Sequence, residues 1–257
     1  THYADLARRL GPEQPFHALH APGLAGGEAP LERMEALAAR YLEEIRAVQP
    51  HGPYWLGGWS AGGTTAFEAA RLLRAAGEEV ALLAMLDSHA PDGWLKGAPP
   101  ERAEMFRDYA RSIVTEDEAL LEGLVDELRA LPEEEHVAAL VRWSARHGGQ
   151  ATDAEVERVG RAITVFAATA RATRDYRDPP PFDGTVVLFV ASEGREEDGR
   201  GPELLPRRWR PFVAGELVVH TIPTTHLDIV LDPAAETVAA RLREVMARVR
   251  EGDGVRG

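Results

Sequence analysis

The sequence predicts an α/β protein: a mostly parallel sheet covered by helices and interrupted by one long all-helical segment. Three observations carry this. Short apolar runs alternate with amphipathic helical patterns, an order that sets parallel strands side by side under helices. One strand-to-helix junction is rich in glycine, Gly57-Gly58-Trp59-Ser60-Ala61-Gly62-Gly63. Between Pro91 and Pro181 the strand signal disappears and only helical periodicity remains.

Taken in order, residues 2–10 (HYADLARRL) read as a helix with Tyr3, Leu6 and Leu10 on one face and Gly11-Pro12 as its stop. Phe16-His17-Ala18-Leu19 is a short strand candidate. Residues 31–48 place Leu31, Met34, Leu37, Ala38, Tyr41, Leu42, Ile45 and Val48 at the spacing of an amphipathic helix, ended by Pro50. Residues 53–59 (PYWLGGW) read as a buried strand, and 60–76 as a small-residue helix closed by Gly77. Residues 80–86 (VALLAML) form a continuous apolar run, short enough for a central strand buried on both faces. Residues 91–182 hold helices at about 101–113, 116–130, 132–147 and 152–176, the last capped by Thr152 or Asp153. Pro179-Pro180-Pro181 closes this stretch. It is too long for a loop and reads as a helical insertion, placed where a lid over a site could sit. Strands resume at 185–191 (TVVLFVA) and 216–222 (ELVVHTI). A last helix over 234–249 follows Asp232-Pro233, read as a cap and first turn, and the tail beyond it should fray.

Composition removes several function classes. The chain has 257 residues, 44% hydrophobic and 28% charged, enough for a sizeable core. A formal charge of −13 argues against a binder of the nucleic-acid backbone. The absence of cysteine excludes disulfides, thiolate metal sites and a cysteine nucleophile. No metal or nucleotide signature is present. Lys96, the sole lysine, lies in a Gly/Pro-rich stretch and is the one candidate for Schiff-base chemistry. No apolar run approaches the ~20 residues of a membrane span, and the opening THYADLARRL is no signal peptide. The expectation is a soluble, cytoplasmic, acidic globular protein.

Gly58-Trp59-Ser60-Ala61-Gly62 matches G-x-S-x-G between a strand and a helix, the context of a nucleophile elbow. Such a turn projects the serine Oγ above the sheet. Gly58 and Gly62 would remove side chains where strand and helix nearly touch. The Ala61 amide, at the helix start, can donate to an oxyanion. A serine needs a base and an orienting carboxylate. His226 fits best, in the turn-like stretch after the strand 216–222. His220 lies inside that strand, His89 comes too early, and His136 and His147 sit on insertion helices. The carboxylate has two candidates, Asp87 at the end of strand 80–86 and Glu193 just after strand 185–191.

Pro53-Tyr54-Trp55-Leu56-Gly57-Gly58-Trp59-Ser60-Ala61-Gly62-Gly63, Ala66-Phe67-Glu68-Ala69-Ala70 and Val80-Ala81-Leu82-Leu83-Ala84-Met85-Leu86-Asp87 together resemble the thioesterase domains that end modular polyketide and nonribosomal peptide synthetases. The stretches 3–10, 21–24 and 39–50 support this. The resemblance is strong over about 3–90 and collinear from 165 to 245. It implies the α/β-hydrolase fold, a Ser60 nucleophile, His226 as base and Asp87 as acid. It implies a single hydrolase domain over 1–257 with a helical lid at 91–182. It also implies an acyl chain delivered on the phosphopantetheine of a carrier protein, passed to Ser60, and released to water or as a macrocycle. No cofactor of the domain itself, no metal, no nucleic acid and no membrane are implied; a second copy of the chain is the other partner considered. In the family, a strand and a glycine-rich loop that donates a second oxyanion amide precede the first helix. A segment of about 15–20 residues is thus expected ahead of Thr1, and the chain is read as part of something larger.

Apolar insertion residues, among them Trp94, Phe106, Tyr109 and Trp143, could line an acyl channel; packing is the simpler role for residues at helical spacing. A stand-alone editing thioesterase and a generic serine carboxylesterase are the enzymatic alternatives. A non-catalytic binding module on the same fold is the alternative from another class.

Overall fold

The apolar runs at Tyr54–Trp59 (β1), Val80–Leu86 (β2), Val186–Ala191 (β3) and Leu217–Ile222 (β4) form one parallel sheet in the order β1-β2-β3-β4. The computed structural model describes residues 3–93, 101–115, 117–149, 152–193 and 201–251. Every residue of β3 is buried, which explains why its sequence is apolar without alternation. β1 and β4 flank the pair and are only partly buried. The register pairs Trp59 with Leu86, Leu86 with Phe189, and Ala191 with Ile222, so the carboxyl ends of all four strands lie along one edge.

The chain divides into two compact units. The first, from Thr1–Leu19, Arg33–Lys96 and Thr173–Gly257, holds the sheet. On one face, Leu82, Ala84, Leu86, Val187 and Phe189 pack with α1 (Ala4–Leu10) and α9 (Ala234–Arg250) in a shared core. Side chains alternate across a strand, so Leu83 and Met85, both fully buried, fall on the opposite face. α3 (Ala61–Ala75) packs on β1 and β2 and carries α2 (Met34–Val48). α3 ends as the sequence requires. Gly77 at φ +80° lets its own N–H reach the Arg74 carbonyl and lets Glu78 N–H reach that of Leu73.

Three sequence expectations change here. Phe16–Leu19 is not a strand; no backbone ladder among the described residues pairs with it, and Phe16 and Leu19 are exposed. Asp232 does not cap α9. Its carboxylate instead accepts from the Arg9 guanidinium, from Nε at 3.0 and 3.2 Å and from Nη2 at 2.9 Å, tying α1 to the start of α9. A short helix, α8 (Leu204–Trp209), was not foreseen, because six residues give no readable period. It buries Trp209, whose indole N–H donates to the Ser88 carbonyl at 2.7 Å.

His220 lies on the α9 face of β4 beside Phe189, with ring centroids 5.4 Å apart. Its Nε2 is buried without a partner among the described residues. Burial holds its pKa below the ordinary histidine value, and Arg241 adds to this. The unfolded chain therefore binds the proton first as pH falls. The stabilisation is complete above about pH 6.5 and is lost as pH drops toward the lower folded pKa. His220→Gln is expected to flatten the acid limb of a plot of Tm against pH and to leave the neutral limb parallel to wild type. An unchanged acid limb would refute this.

The second unit comprises His20–Glu32 and Gly97–Ala172. It holds α4 (Arg102–Ile113), α5 (Glu118–Arg129), α6 (His136–Arg146) and most of α7 (Asp153–Asp175), with a 3₁₀ turn at Glu133–Glu135. Asp117 caps α5 by accepting from the N–H groups of Ala119 and Leu120. α7 opens with a reciprocal capping box: Glu155 N–H donates to Thr152 Oγ1, and Thr152 N–H donates to the Glu155 carboxylate. The apolar stripes of these helices meet in a core of their own that includes Phe106, Leu121, Leu124, Leu140 and Trp143. Among the described residues, no helix is long and apolar enough to cross a membrane, and no cluster of acidic or histidine side chains could hold a metal.

Candidate active site

Three of the sequence candidates meet at the carboxyl edge of the sheet. Ser60 directly follows β1, Asp87 directly follows β2, and His226 lies in the turn beyond β4. His226 Nε2 is 3.1 Å from Ser60 Oγ, and His226 Nδ1 is 2.7 Å from Asp87 Oδ2. Asp87 is fully buried, and its other oxygen accepts the Ala191 N–H at 3.1 Å. With both oxygens engaged, the carboxylate has one orientation. It fixes the tautomer that carries hydrogen on Nδ1 and leaves Nε2 to accept from the serine hydroxyl. In this arrangement Ser60 Oγ can pass its proton to Nε2.

The backbone that holds these groups is specific. Ser60 sits at φ 56°, ψ −127°, and Asp87 at φ 47°. Both angles are unusual for side chains with a Cβ. Strand hydrogen bonds hold them, from Ser60 N–H to the Leu86 carbonyl at 2.9 Å and from Asp87 N–H to the Phe189 carbonyl at 2.8 Å. Of the two elbow glycines expected at the strand–helix contact, Gly58 fills that role and Gly62 does not. A Cβ on Gly58 would lie 2.2 Å from the Gly62 carbonyl carbon, and one on Gly63 would lie 1.9 Å from Ser88 Oγ. Gly62 meets only the Tyr3 hydroxyl, at 3.3 Å. Gly58 and Gly63, not Gly62, are the close-approach positions. Ala61 opens α3, where an N–H has no intrahelical carbonyl to bond. That amide is the available donor toward an oxyanion at Ser60.

Two side chains at the site were not singled out from sequence. The Trp59 indole N–H donates to the His226 carbonyl at 2.9 Å, and the two rings lie 5.2 Å apart. The Trp59 backbone N–H donates to the Tyr3 hydroxyl at 2.9 Å. Burial raises the Tyr3 pKa, so the phenol stays neutral. The position of Trp59 just before Ser60 was the signal, but position alone does not reveal a contact across more than 160 residues. Trp59→Phe keeps a ring beside the imidazole and removes the N–H. Losing one such bond is worth about 0.5–1.5 kcal/mol, so kcat is expected to fall about 3- to 10-fold with KM within about twofold. Steady-state kinetics on a soluble thioester check this; a changed KM with unchanged kcat would contradict it.

The remaining candidates lie elsewhere. Glu193 is exposed, and its N–H bonds the Thr224 carbonyl. Phe106 and Trp143 are 0% and 3% exposed, closed inside the core of the helical unit rather than lining a channel, because amphipathic helices bury their apolar stripes against one another. Tyr109 is partly buried against the same core, and burial raises its pKa. Trp94 and Lys96 lie outside the described residues.

A family model described as a thioesterase domain matches residues 1–245. Malpibaldin synthetase of Mortierella alpina is 33% identical over 227 residues, which are 88% of this chain and 4% of that protein. Enterobactin synthase component F of Escherichia coli (strain K12) is 30% identical over 246 residues, 96% of this chain and 16% of that protein. The chain therefore spans only a small part of the length of these relatives. Among solved structures, the RedJ thioesterase from the prodiginine biosynthetic pathway in Streptomyces coelicolor superposes with a TM-score of 0.63 at 23% identity, covering 94% of this chain and 79% of that one. This likeness identifies the architecture as the α/β-hydrolase fold. With a family model covering nearly its whole length, the chain belongs to the thioesterase domain family.

Proposed function

We propose that the chain releases an acyl or peptidyl chain from the phosphopantetheine thioester of a carrier protein, with Ser60 as the nucleophile. The observation that carries this reading is the hydrogen-bonded series Ser60, His226, Asp87 in a member of the thioesterase family. The carrier-bound substrate class is the one the sequence resemblance implies, and the likeness to a synthetase and a synthase supports it. His226 takes the Oγ proton as Ser60 attacks the thioester carbonyl. The Ala61 amide donates to the tetrahedral oxyanion. His226 returns the proton to the departing thiol, leaving a serine ester. Water, or a hydroxyl or amine of the chain itself, then attacks that ester, with His226 again as base. The domain needs no cofactor of its own for these steps, and residues 91–182 serve as a helical insertion of one hydrolase domain.

The test compares a long acyl or peptidyl chain loaded on a carrier protein with the same chain as a simple ester, with products identified by mass spectrometry. Release is expected to be much faster from the carrier. Equal rates on both substrates would favour a general carboxylesterase. Activity confined to short acyl groups would favour an editing thioesterase.

A further inference from the structure

Residues 88–91 follow Asp87 outside any strand, yet donors from three other parts of the chain hold their carbonyls. The Trp209 indole N–H, from α8, donates to the Ser88 carbonyl at 2.7 Å. The Thr64 hydroxyl, from α3, donates to the His89 carbonyl at 2.9 Å. The Asp178 N–H donates to the Pro91 carbonyl at 2.9 Å. α8 holds the next residue as well, since Arg208 pairs with Asp92 at 2.6 Å. All of these residues belong to the unit that holds the sheet.

The two side-chain donors nearest Asp87 are placed for this contact. A threonine hydroxyl inside a helix ordinarily donates to the carbonyl four residues back. Thr65, Thr164 and Thr169 do so, to Ala61, Gly160 and Val165. Thr64, only 1% exposed, crosses to His89 instead. Trp209 is fully buried against Phe67, with ring centroids 5.0 Å apart. A buried indole N–H needs an acceptor, and Ser88 supplies it.

The loop also lies hard against the helix that begins after Ser60. Ser88 Oγ occupies the space where a Cβ on Gly63 would point. The Ser88 hydroxyl donates to the Leu86 carbonyl at 3.2 Å, and that same carbonyl accepts the Ser60 N–H at 2.9 Å. Asp87 sits between these anchors at φ 47°. A residue in such a conformation persists only where its surroundings over-determine it. The N–H of Asp87 is held by Phe189 before it, and the carbonyls of Ser88 and His89 are held after it.

We infer that Trp209 and Thr64 are positioning residues for Asp87. By holding the two carbonyls that follow it, they keep its carboxylate 2.7 Å from His226 Nδ1. The inference rests on the catalytic reading of Asp87 and goes beyond it by naming what sets that carboxylate in place.

A double-mutant cycle with Asp87→Asn tests it, by turnover of a soluble thioester well below the melting temperature of every variant. In the wild-type background, Trp209→Phe is expected to lower kcat about tenfold and Thr64→Val about threefold, with KM within about twofold. In the Asp87→Asn background each is expected to add less than about twofold, because the group they position is already disabled. Thr64→Val keeps the side-chain volume and carries the test if Trp209→Phe folds poorly. Phe212→Leu trims a ring that packs edge-on to Trp209 and leaves the indole N–H in place. It is expected to lower Tm with kcat within about twofold. The inference is overturned by unchanged kcat in both Trp209→Phe and Thr64→Val, or by equal losses in the two backgrounds. It is also overturned by a change in KM alone, or by a kcat loss in Phe212→Leu as large as in Trp209→Phe. A fully active Asp87→Asn variant would instead remove the catalytic reading, and this inference with it.

Discussion

Ser60→Ala is expected to reduce acyl transfer by about 10⁴- to 10⁶-fold, with Tm nearly unchanged. The magnitude follows from what the hydroxyl does. In the proposed reaction its oxygen forms the bond to the acyl carbon, and Nε2 of His226, 3.1 Å away, takes its proton at the attack step. The residual rate would come from binding and the oxyanion amide alone. Alanine keeps a Cβ at the same backbone angles, so the elbow is neither relieved nor further strained. Turnover of a soluble thioester, with a thermal melt on the same sample, measures both halves. Turnover within tenfold of wild type would remove Ser60 from the reaction.

Asp87→Asn is expected to lower kcat by about 10³- to 10⁴-fold while the fold stays intact. The amide oxygen can still accept the Ala191 N–H, as Oδ1 does now at 3.1 Å. The amide nitrogen then faces His226 Nδ1, where a carboxylate oxygen now lies at 2.7 Å. It can only donate, so the imidazole must present a lone pair at Nδ1 and carry its hydrogen on Nε2. That tautomer cannot accept the serine proton. Glu193→Gln, at an exposed position outside the Ser60–His226–Asp87 series, is expected to change kcat by less than about twofold. A dead Glu193 variant beside a live Asp87 variant would reverse the assignment.

The sheet and its helices were legible because burial on two faces leaves a plain signal. The run 186–191 is apolar throughout and is buried throughout. The choice of His226 over His220 was legible from placement: one lies in a turn at the strand ends, the other within a strand whose side chains are committed to a sheet face. Sequence left Asp87 and Glu193 open without the resemblance, since both end strands; only the folded distance separates them. What stayed illegible depends on tertiary partners. Phe16–Leu19 reads as a short strand candidate but has no ladder among the described residues. Asp232 has the chemistry of a cap, yet Arg9 holds its carboxylate. Trp59 and Tyr3 serve the site through contacts that no local pattern encodes.

The backbone angles of Ser60 and Asp87 have a consequence for anyone improving this protein. Both residues occupy conformations that glycine or asparagine tolerates better, at a cost of about 1–3 kcal/mol each. Ser60→Gly and Asp87→Asn should therefore melt at or above the wild-type temperature while doing no chemistry. Selection for heat resistance alone would then enrich inactive clones, so any stabilisation campaign on this scaffold needs turnover scored in the same round.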